Sequence, residues 1–245
     1  MTLRLTDRDV RMLVKCALCR WLTTDQLKRL YFPGATQNAV QKRLRKLSDA
    51  GYLRSYREHP TAESIHALGP MGVPLVAEKG VSAVAGGEVP RQVEHLLGVN
   101  EIRVAVELGA VPLSYFFAYW QLADLGWGYP VIPDAVFAIR EGRRRTLIAE
   151  YDRGTEPLHK VLEKLRAYGR GLEGFPFEAV LVFTEGARQV ELLAGELRSN
   201  GVPLAVLASS LEACRGGNVF ATDFMDLLRG ERRKLLEPLE EEERH

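Results

Sequence analysis

Three carboxylates stand at the ends of two predicted apolar strands in this 245-residue chain. Asp134 opens the segment "DAVFAI" directly after a proline, and Glu150 and Asp152 end the segment "LIAEYD". Because side chains alternate along a strand, Glu150 and Asp152 face the same side of theirs. The pattern fits three alternatives: a metal site that cuts DNA, the remnant of such a site, or a structural acidic cluster.

Hydrolysis of a phosphodiester at this position requires a divalent cation held by hard oxygen ligands. We predict Asp134 and Glu150 as ligands of Mg²⁺ or Mn²⁺ if the site is catalytic, and no cofactor if it is not. Glu101, on a predicted helix earlier in the chain, is a candidate for a further ligand. In the structural alternative, Asp152 caps the next helix and Arg153 neutralises Glu150.

A basic helix in the N-terminal third carries the second group of candidate residues. In "QNAVQKRLRKLSDAG", residues 37–51, Val40, Leu44 and Leu47 recur at helical spacing and the other positions are mostly polar. Gln, Asn and Arg can pair with base edges, and Lys and Arg neutralise phosphates. Together with a following hairpin, the predicted DNA-binding residues are Gln37, Asn38, Gln41, Lys42, Arg45, Arg54 and Arg57.

Two further helices are predicted before the basic helix, over residues 6–21 and 23–32, and two strands after it, at 52–58 and 65–68. Thr6, Thr23 or Thr24, and Thr36 are the expected N-caps. Three helices followed by a basic hairpin are typical of a winged helix-turn-helix. That module predicts binding to double-stranded DNA, and its use for protein contacts is the alternative.

The chain changes character after a Gly- and Pro-containing linker at residues 69–90. The expected order of elements beyond it is α-β-β-β-α-β-α-β, which includes strands at 113–120, 131–139 and 145–151 and a helix capped by Thr155. We place domains at 1–85 and 86–225. Residues 226–245 are predicted to be a charged C-terminal tail, either a helix or a frayed, solvated segment.

The second domain resembles the restriction-endonuclease-like, or PD-(D/E)XK, superfamily. Pro133-Asp134 matches the "PD" and Glu150 the "(D/E)", but Asp152 stands where the superfamily has its lysine. The resemblance implies that Lys160 or Lys164, on the next helix, supplies the missing positive charge. It therefore implies a mixed-sheet α+β or α/β domain whose catalytic residues are Asp134, Glu150, Asp152 and Lys164, or a non-catalytic domain retained for binding.

Nearly the whole chain is similar to the replication-relaxation family of plasmid and mobile-element proteins. The similarity lies in the winged helix, "EHLLGVNEI" at 94–102, "PDAVFAI", "AEYDRGTE" and "KLRAY" at 164–168. It implies a DNA-binding accessory of plasmid replication, relaxation or transfer, with replication or transfer proteins among its partners. Two other functions stay open: a metal-dependent DNA endonuclease, and a winged-helix transcriptional regulator whose second domain dimerises.

Composition and motif content limit the remaining classes of function. A net charge of +1 indicates that any DNA binding depends on local patches. Neither a membrane-spanning stretch nor an apolar signal core is apparent, so we expect a cytoplasmic protein without membrane contact. The Cys16–Cys19 pair lies in a predicted helix and is expected to be structural. No P-loop, GxGxxG or GxSxG motif is present. A homodimer is expected, because helix-turn-helix proteins commonly pair half-sites.

Overall fold

The computed structural model describes residues 3–237 except 173, 201, 203, 216 and 217. The chain has a mixed α/β architecture: N-terminal helices with a small antiparallel sheet, then a seven-stranded mixed sheet with helices. It divides into two compact units, Met1–Asn100 and Glu101–His245. The sequence-based division at residue 85 falls inside the first unit, and as a statement about functional domains it stays a prediction.

The first unit contains three helices that begin at threonine N-caps. Thr6, Thr23 and Thr36 each accept a hydrogen bond from a backbone N–H in the first helical turn, which satisfies a donor that the helix itself leaves unpaired. The small sheet has the antiparallel order β1-β3-β2. The elements are α1 (Asp7–Cys19), β1 (Leu22–Thr23), α2 (Thr24–Tyr31), α3 (Gln37–Asp49), β2 (Leu53–Tyr56), β3 (Ile65–Leu68) and α4 (Val73–Ala77).

An apolar stripe packs helix α3 against the core, and a glycine just after the helix allows the chain to turn away. Val40, Leu44 and Leu47 are buried, as their spacing predicts. Gly51 adopts a φ of +77°, the left-handed conformation that glycine enters at little cost just after a helix. Cys16 and Cys19 form no disulfide bond and are buried in the core of the same unit. Burial raises the pKa of the Cys16 thiol, so it stays neutral.

The second unit is built on one sheet with the order β10-β9-β8-β7-β6-β5-β4. The pairs β6–β7 and β7–β8 are parallel, and the others are antiparallel. Helix α5 (Val93–Glu107) runs across the division between the units. The further elements are β4 (Leu113–Ala118), α6 (Tyr119–Asp124), β5 (Ala135–Glu141), β6 (Arg143–Asp152), α7 (Leu158–Gly171), β7 (Ala179–Thr184), α8 (Ala187–Asn200), β8 (Val206–Ser210), α9 (Leu211–Arg215), β9 (Asp223–Asp226) and β10 (Arg232–Lys234).

Helices α7 and α8 cover one face of this sheet. Leu162 and Leu165 of α7 and Leu193 of α8 pack in one core cluster with Val136 of β5 and Ile148 of β6. Both helices connect neighbouring parallel strands, and right-handed crossovers bring such helices to the same side. Because Glu150 follows Ile148 by two positions, the fold turns Glu150 toward α7.

Three expectations about the second unit are wrong in detail. The strand expected over 113–120 ends at Ala118, and helix α6 follows it. Helix α7 begins after Pro157 without a side-chain cap, so Thr155 does not cap it. The predicted tail is neither a helix nor frayed over Arg232–Lys234, which pairs with β9 as an edge strand. Residues 238–245 of that predicted tail lie outside the described residues.

Candidate functional site

The antiparallel pairing of β5 and β6 brings Asp134 and Glu150 together. Ala135 is opposite Ala149, so the residues just outside that pair meet at the same end of the two strands. The backbone N–H of Asp134 donates to Glu150 Oε1 at 3.3 Å, and Asp134 Oδ2 accepts the backbone N–H of Tyr151 at 2.8 Å. Both carboxylates are buried, and backbone donors fix their positions.

Helix α7 adds a positive charge and a hydroxyl to this pair. Lys164 Nζ hydrogen bonds to Glu150 Oε2 and lies 3.9 Å from Asp134 Oδ1. Tyr168, one turn further along the helix, donates its hydroxyl to Glu150 Oε1. We name these four residues, Asp134, Glu150, Lys164 and Tyr168, the carboxylate site. Lys160, the other candidate lysine, instead pairs with Glu163 at 2.9 Å on the exposed side of α7.

Tyr168 is both a packing residue and a hydrogen-bond donor. Its ring is fully buried in the core, but its hydroxyl is a donor to Glu150. The sequence did contain a signal for this contact, because residues four apart lie on one face of a helix and Lys164 was already a candidate. Burial and the nearby carboxylates of Glu150 and Asp134 raise the pKa of Tyr168, so its hydroxyl stays protonated.

The electrostatics of the carboxylate site are set by burial. Burial, together with the Asp134 carboxylate, raises the pKa of Glu150 to about 7, although Lys164 and Tyr168 favour the charged form. Burial alone lowers the pKa of Lys164, but Glu150 and Asp134 outweigh it, and the net shift is upward. Lys164 therefore stays cationic, whereas Glu150 changes charge near neutral pH.

Asp152 does not join this site. Its Oδ1 accepts the backbone N–H of Gly154 at 2.7 Å, and its Oδ2 accepts Gln189 Nε2 at 3.0 Å. Within the part of the chain that the structure describes, no group of three or more His, Cys, Asp or Glu side chains is placed to hold a metal ion. The expected three-carboxylate cluster is therefore wrong, and a catalytic role for Asp152 stays a prediction without geometric support.

Two other residues were expected near the acidic site, Glu101 as a metal ligand and Arg153 as the partner of Glu150. Each forms an ion pair elsewhere. Glu101 is buried, and its Oε1 lies 3.4 Å from Arg215 Nε of α9. Arg153 Nε lies 3.8 Å from Glu185, so Arg153 does not neutralise Glu150; Lys164 has that position.

The donor set of the carboxylate site can be compared with the needs of a divalent cation. Mg²⁺ keeps several waters and is commonly bound by one or two carboxylates together with substrate phosphates. Asp134 and Glu150 fit that requirement, and Lys164 places an ammonium group beside both carboxylates. A bound cation would supply Lewis-acid polarisation of a phosphate. This chain would supply two anionic ligands and one ammonium group.

The exposed face of α3 forms a second candidate site, in the first unit. We name it the helix α3 face, and its exposed residues are Gln37, Asn38, Gln41, Lys42 and Arg45. Arg43 is not part of it, because its guanidinium pairs with the buried Asp9 and donates to the Arg4 carbonyl at 3.1 Å. Of the hairpin arginines, Arg54 is exposed, and Arg57 donates to Ser64 Oγ at 2.9 Å.

A polar network that is buried at its His66–Thr24 end connects α3 with the hairpin. Ser48 at the end of α3 bonds to Ser55 of β2 at 2.5 Å, and Ser55 bonds to His66 Nδ1 of β3 at 2.8 Å. His66 Nε2 meets Thr24 Oγ1 at 2.9 Å. Burial, assisted by the charge of Arg57, lowers the pKa of His66 to about 4, so its ring stays neutral. This network is not predictable from local patterns, because its members are distant in sequence.

Comparison with models of protein families identifies the family of this chain. A family model described as Replication-relaxation matches residues 16–176, which include the helix α3 face, the hairpin and the whole carboxylate site. None of the curated proteins compared with the chain matches it significantly. No helix among the residues described is long and apolar enough to cross a membrane.

Proposed function

Since this chain belongs to the Replication-relaxation family, which implies a role related to plasmid replication, we propose that it is a DNA-binding accessory protein of plasmid or mobile-element replication, relaxation or transfer. Its first unit acts as a winged helix-turn-helix on double-stranded DNA. Its second unit is a restriction-endonuclease-like domain. The protein works as a homodimer, because paired half-sites suit this kind of module.

The observation that carries this proposal is the exposed polar side of α3. The helix buries one narrow apolar stripe, and its remaining surface presents two glutamines, an asparagine and unburied basic groups. Such side chains read base edges in the major groove and contact phosphates. The adjacent β2–β3 hairpin carries the exposed Arg54 in the position of a wing.

The test compares two variants of equal charge on full-length protein. Lys42→Gln/Arg45→Gln removes two charges from the helix α3 face, and Lys79→Gln/Arg91→Gln removes two exposed charges elsewhere in the first unit. Fluorescence anisotropy with labelled 30-base-pair duplexes at low salt measures Kd. We expect the α3 variant to bind at least about tenfold more weakly and the control variant to bind within about twofold of wild type.

Two results would contradict the proposal. Wild type without affinity for any duplex at low salt would exclude DNA binding. Equal losses in both variants would mean that α3 has no special part in it. Specific binding to the protein's own promoter alone, with no affinity for replication or transfer regions, would instead support the transcriptional regulator.

A second function, metal-dependent DNA cleavage, is favoured by one specific observation. Lys164 reaches both Asp134 and Glu150 from a neighbouring helix and restores the charge that Asp152 cannot provide. In this proposal Asp134 and Glu150 hold Mg²⁺ or Mn²⁺, and Lys164 stabilises the charge that develops on the phosphate.

A plasmid-nicking assay tests this second function. Supercoiled DNA is incubated with wild type, Glu150→Gln, Lys164→Gln and the exposed control Lys160→Gln, in Mg²⁺ and separately in Mn²⁺. A nuclease that uses this site gives nicked product with wild type and the control only. Intact plasmid in every lane, while anisotropy still reports binding, would mean that the site does not cleave DNA.

A further inference from the structure

Four arginines surround the tight turn between β5 and β6, and the structure divides them into two pairs. Arg143 pairs with Glu178 at 2.9 Å, and Arg145 pairs with Glu178 at 2.7 Å and with Glu141 at 3.3 Å. Arg140 and Arg144 have no carboxylate partner among the residues that the structure describes. Two charges of this turn are therefore neutralised within the fold, and two face solvent.

Arg140 and Arg144 are direct cross-strand neighbours. Arg140 is opposite Arg144 in the antiparallel β5–β6 pair, and both side chains are exposed. Opposite residues have Cβ atoms about 4.5–5.5 Å apart, and like charges in that position destabilise a sheet. A bound anion between the two guanidinium groups would remove that repulsion.

The turn itself leaves room for a large ligand. Gly142 adopts a φ of +65°, and a Cβ added to it would meet no atom within 4 Å. On the other side of the turn, the two carboxylates of Glu178 and Glu141 balance the charges of Arg143 and Arg145. The net positive charge of the turn thus lies at Arg140 and Arg144.

This pair is too far from the carboxylate site to serve it. Arg140 lies six positions after Asp134, and Arg144 lies six positions before Glu150. At about 3.3 Å per residue, each separation is about 20 Å along the strands. That exceeds the Debye length of about 8 Å at physiological ionic strength. The charges of the two arginines therefore do not act on the carboxylate site.

From this arrangement we infer that Arg140 and Arg144, named here the hairpin clamp, bind the phosphate backbone of DNA as a second contact outside the helix α3 face. Guanidinium groups are planar and bind phosphate oxygens with paired hydrogen bonds. Contacts to phosphate position a protein without reading sequence. The inference rests on the proposed function, because DNA binding is what brings a phosphate array to this turn.

The experiment measures the salt dependence of DNA binding by the full-length protein. Arg140→Gln/Arg144→Gln is compared with Arg143→Gln/Arg232→Gln, which loses the same charge from exposed arginines that have carboxylate partners. The slope of log Kd against log salt concentration counts phosphate contacts at about 0.9 each. We expect the clamp variant to lower the slope by about 2 and the control variant to leave it nearly unchanged.

The outcomes separate this inference from the proposed function. If wild type binds DNA and the helix α3 variant weakens it, but the clamp variant keeps the full slope, the clamp is excluded and the proposed function stands. Equal changes in both arginine variants also exclude it. If wild type binds no DNA, both fail. A polyglutamate peptide and an oligonucleotide of equal charge are also compared as competitors. If the peptide displaces the clamp-dependent part of binding better, the clamp binds an acidic protein instead of DNA.

Discussion

Lys164 of α7 hydrogen bonds to Glu150 of β6, fourteen residues earlier in the chain. The contact places a cation beside two buried carboxylates, since Asp134 lies 3.9 Å from the same ammonium group. Removal of Lys164 would leave two buried carboxylates without their cation, which is strongly destabilising.

The stability of the second unit should fall as pH rises through neutrality. Glu150 has a folded-state pKa of about 7, above its ordinary value of 4.5, so the folded state binds the additional proton between those values. The resulting stabilisation is complete below about pH 4.5 and is lost as pH rises through 7. Urea denaturation at pH 5 and pH 8 should show a loss of about 1–3 kcal/mol for wild type.

Glu150→Gln should make that pH dependence flatter, because glutamine does not titrate. The matched control is Glu163→Gln, on the same helix as Lys164 but exposed, which should retain the wild-type dependence. An unchanged pH profile in Glu150→Gln would show that another group causes the loss.

Tyr168→Phe should destabilise the protein mainly when Glu150 is charged. The hydroxyl donates to Glu150, and hydrogen bonds to charged groups contribute about 1.5–3 kcal/mol, against about 1 for neutral ones. We expect a larger loss at pH 8 than at pH 5, measured by urea denaturation. Tyr115→Phe removes a half-buried hydroxyl bonded to Thr146 at 3.2 Å and should show no such pH difference. Equal losses at both pH values would argue against the contact with a carboxylate.

The stability of the first unit should decrease as pH falls, which is opposite to the pH dependence expected for the second unit. Burial holds the pKa of His66 at about 4, below its ordinary value of 6.5, so stability is present above pH 6.5 and is lost as pH falls through 4. His66→Gln removes this titration. The measurement is the unfolding of the first unit by urea at pH 7 and pH 4.5, followed by the fluorescence of Trp21. A His59→Gln variant, on the exposed tip, is the control and should behave like wild type.

Substitution of Arg43 and substitution of Arg45 should have very different effects on stability, although the two residues are only two positions apart on α3. Arg43 pairs with Asp9, which is fully buried, whereas the side chain of Arg45 is 84% exposed. Arg43→Gln should therefore cost about 3 kcal/mol or more in urea denaturation, because Asp9 loses its partner. Arg45→Gln should stay within about 0.5 kcal/mol of wild type and affect DNA binding instead. Similar stabilities for the two variants would contradict the assigned roles.

Much of the first unit was predictable because its signals are local. The threonine caps at Thr6, Thr23 and Thr36, the stripe of Val40, Leu44 and Leu47, and the glycine after α3 all act within one or two helical turns. The Ser48–Ser55–His66–Thr24 network was not predictable, since it joins residues that meet only after α2, α3 and the sheet have packed.

The sequence by itself determined the periodic elements, the family resemblance and the candidate acids Asp134 and Glu150. Only the tertiary structure decided which side chains accompany them. It brings Lys164 and Tyr168 to Glu150 and directs Asp152 to Gly154 and Gln189 instead. It also pairs Arg143 and Arg145 with Glu178 while leaving Arg140 and Arg144 to solvent. The physical reason is that spacing fixes the face on which a side chain lies, whereas its partner depends on which other element packs against that face.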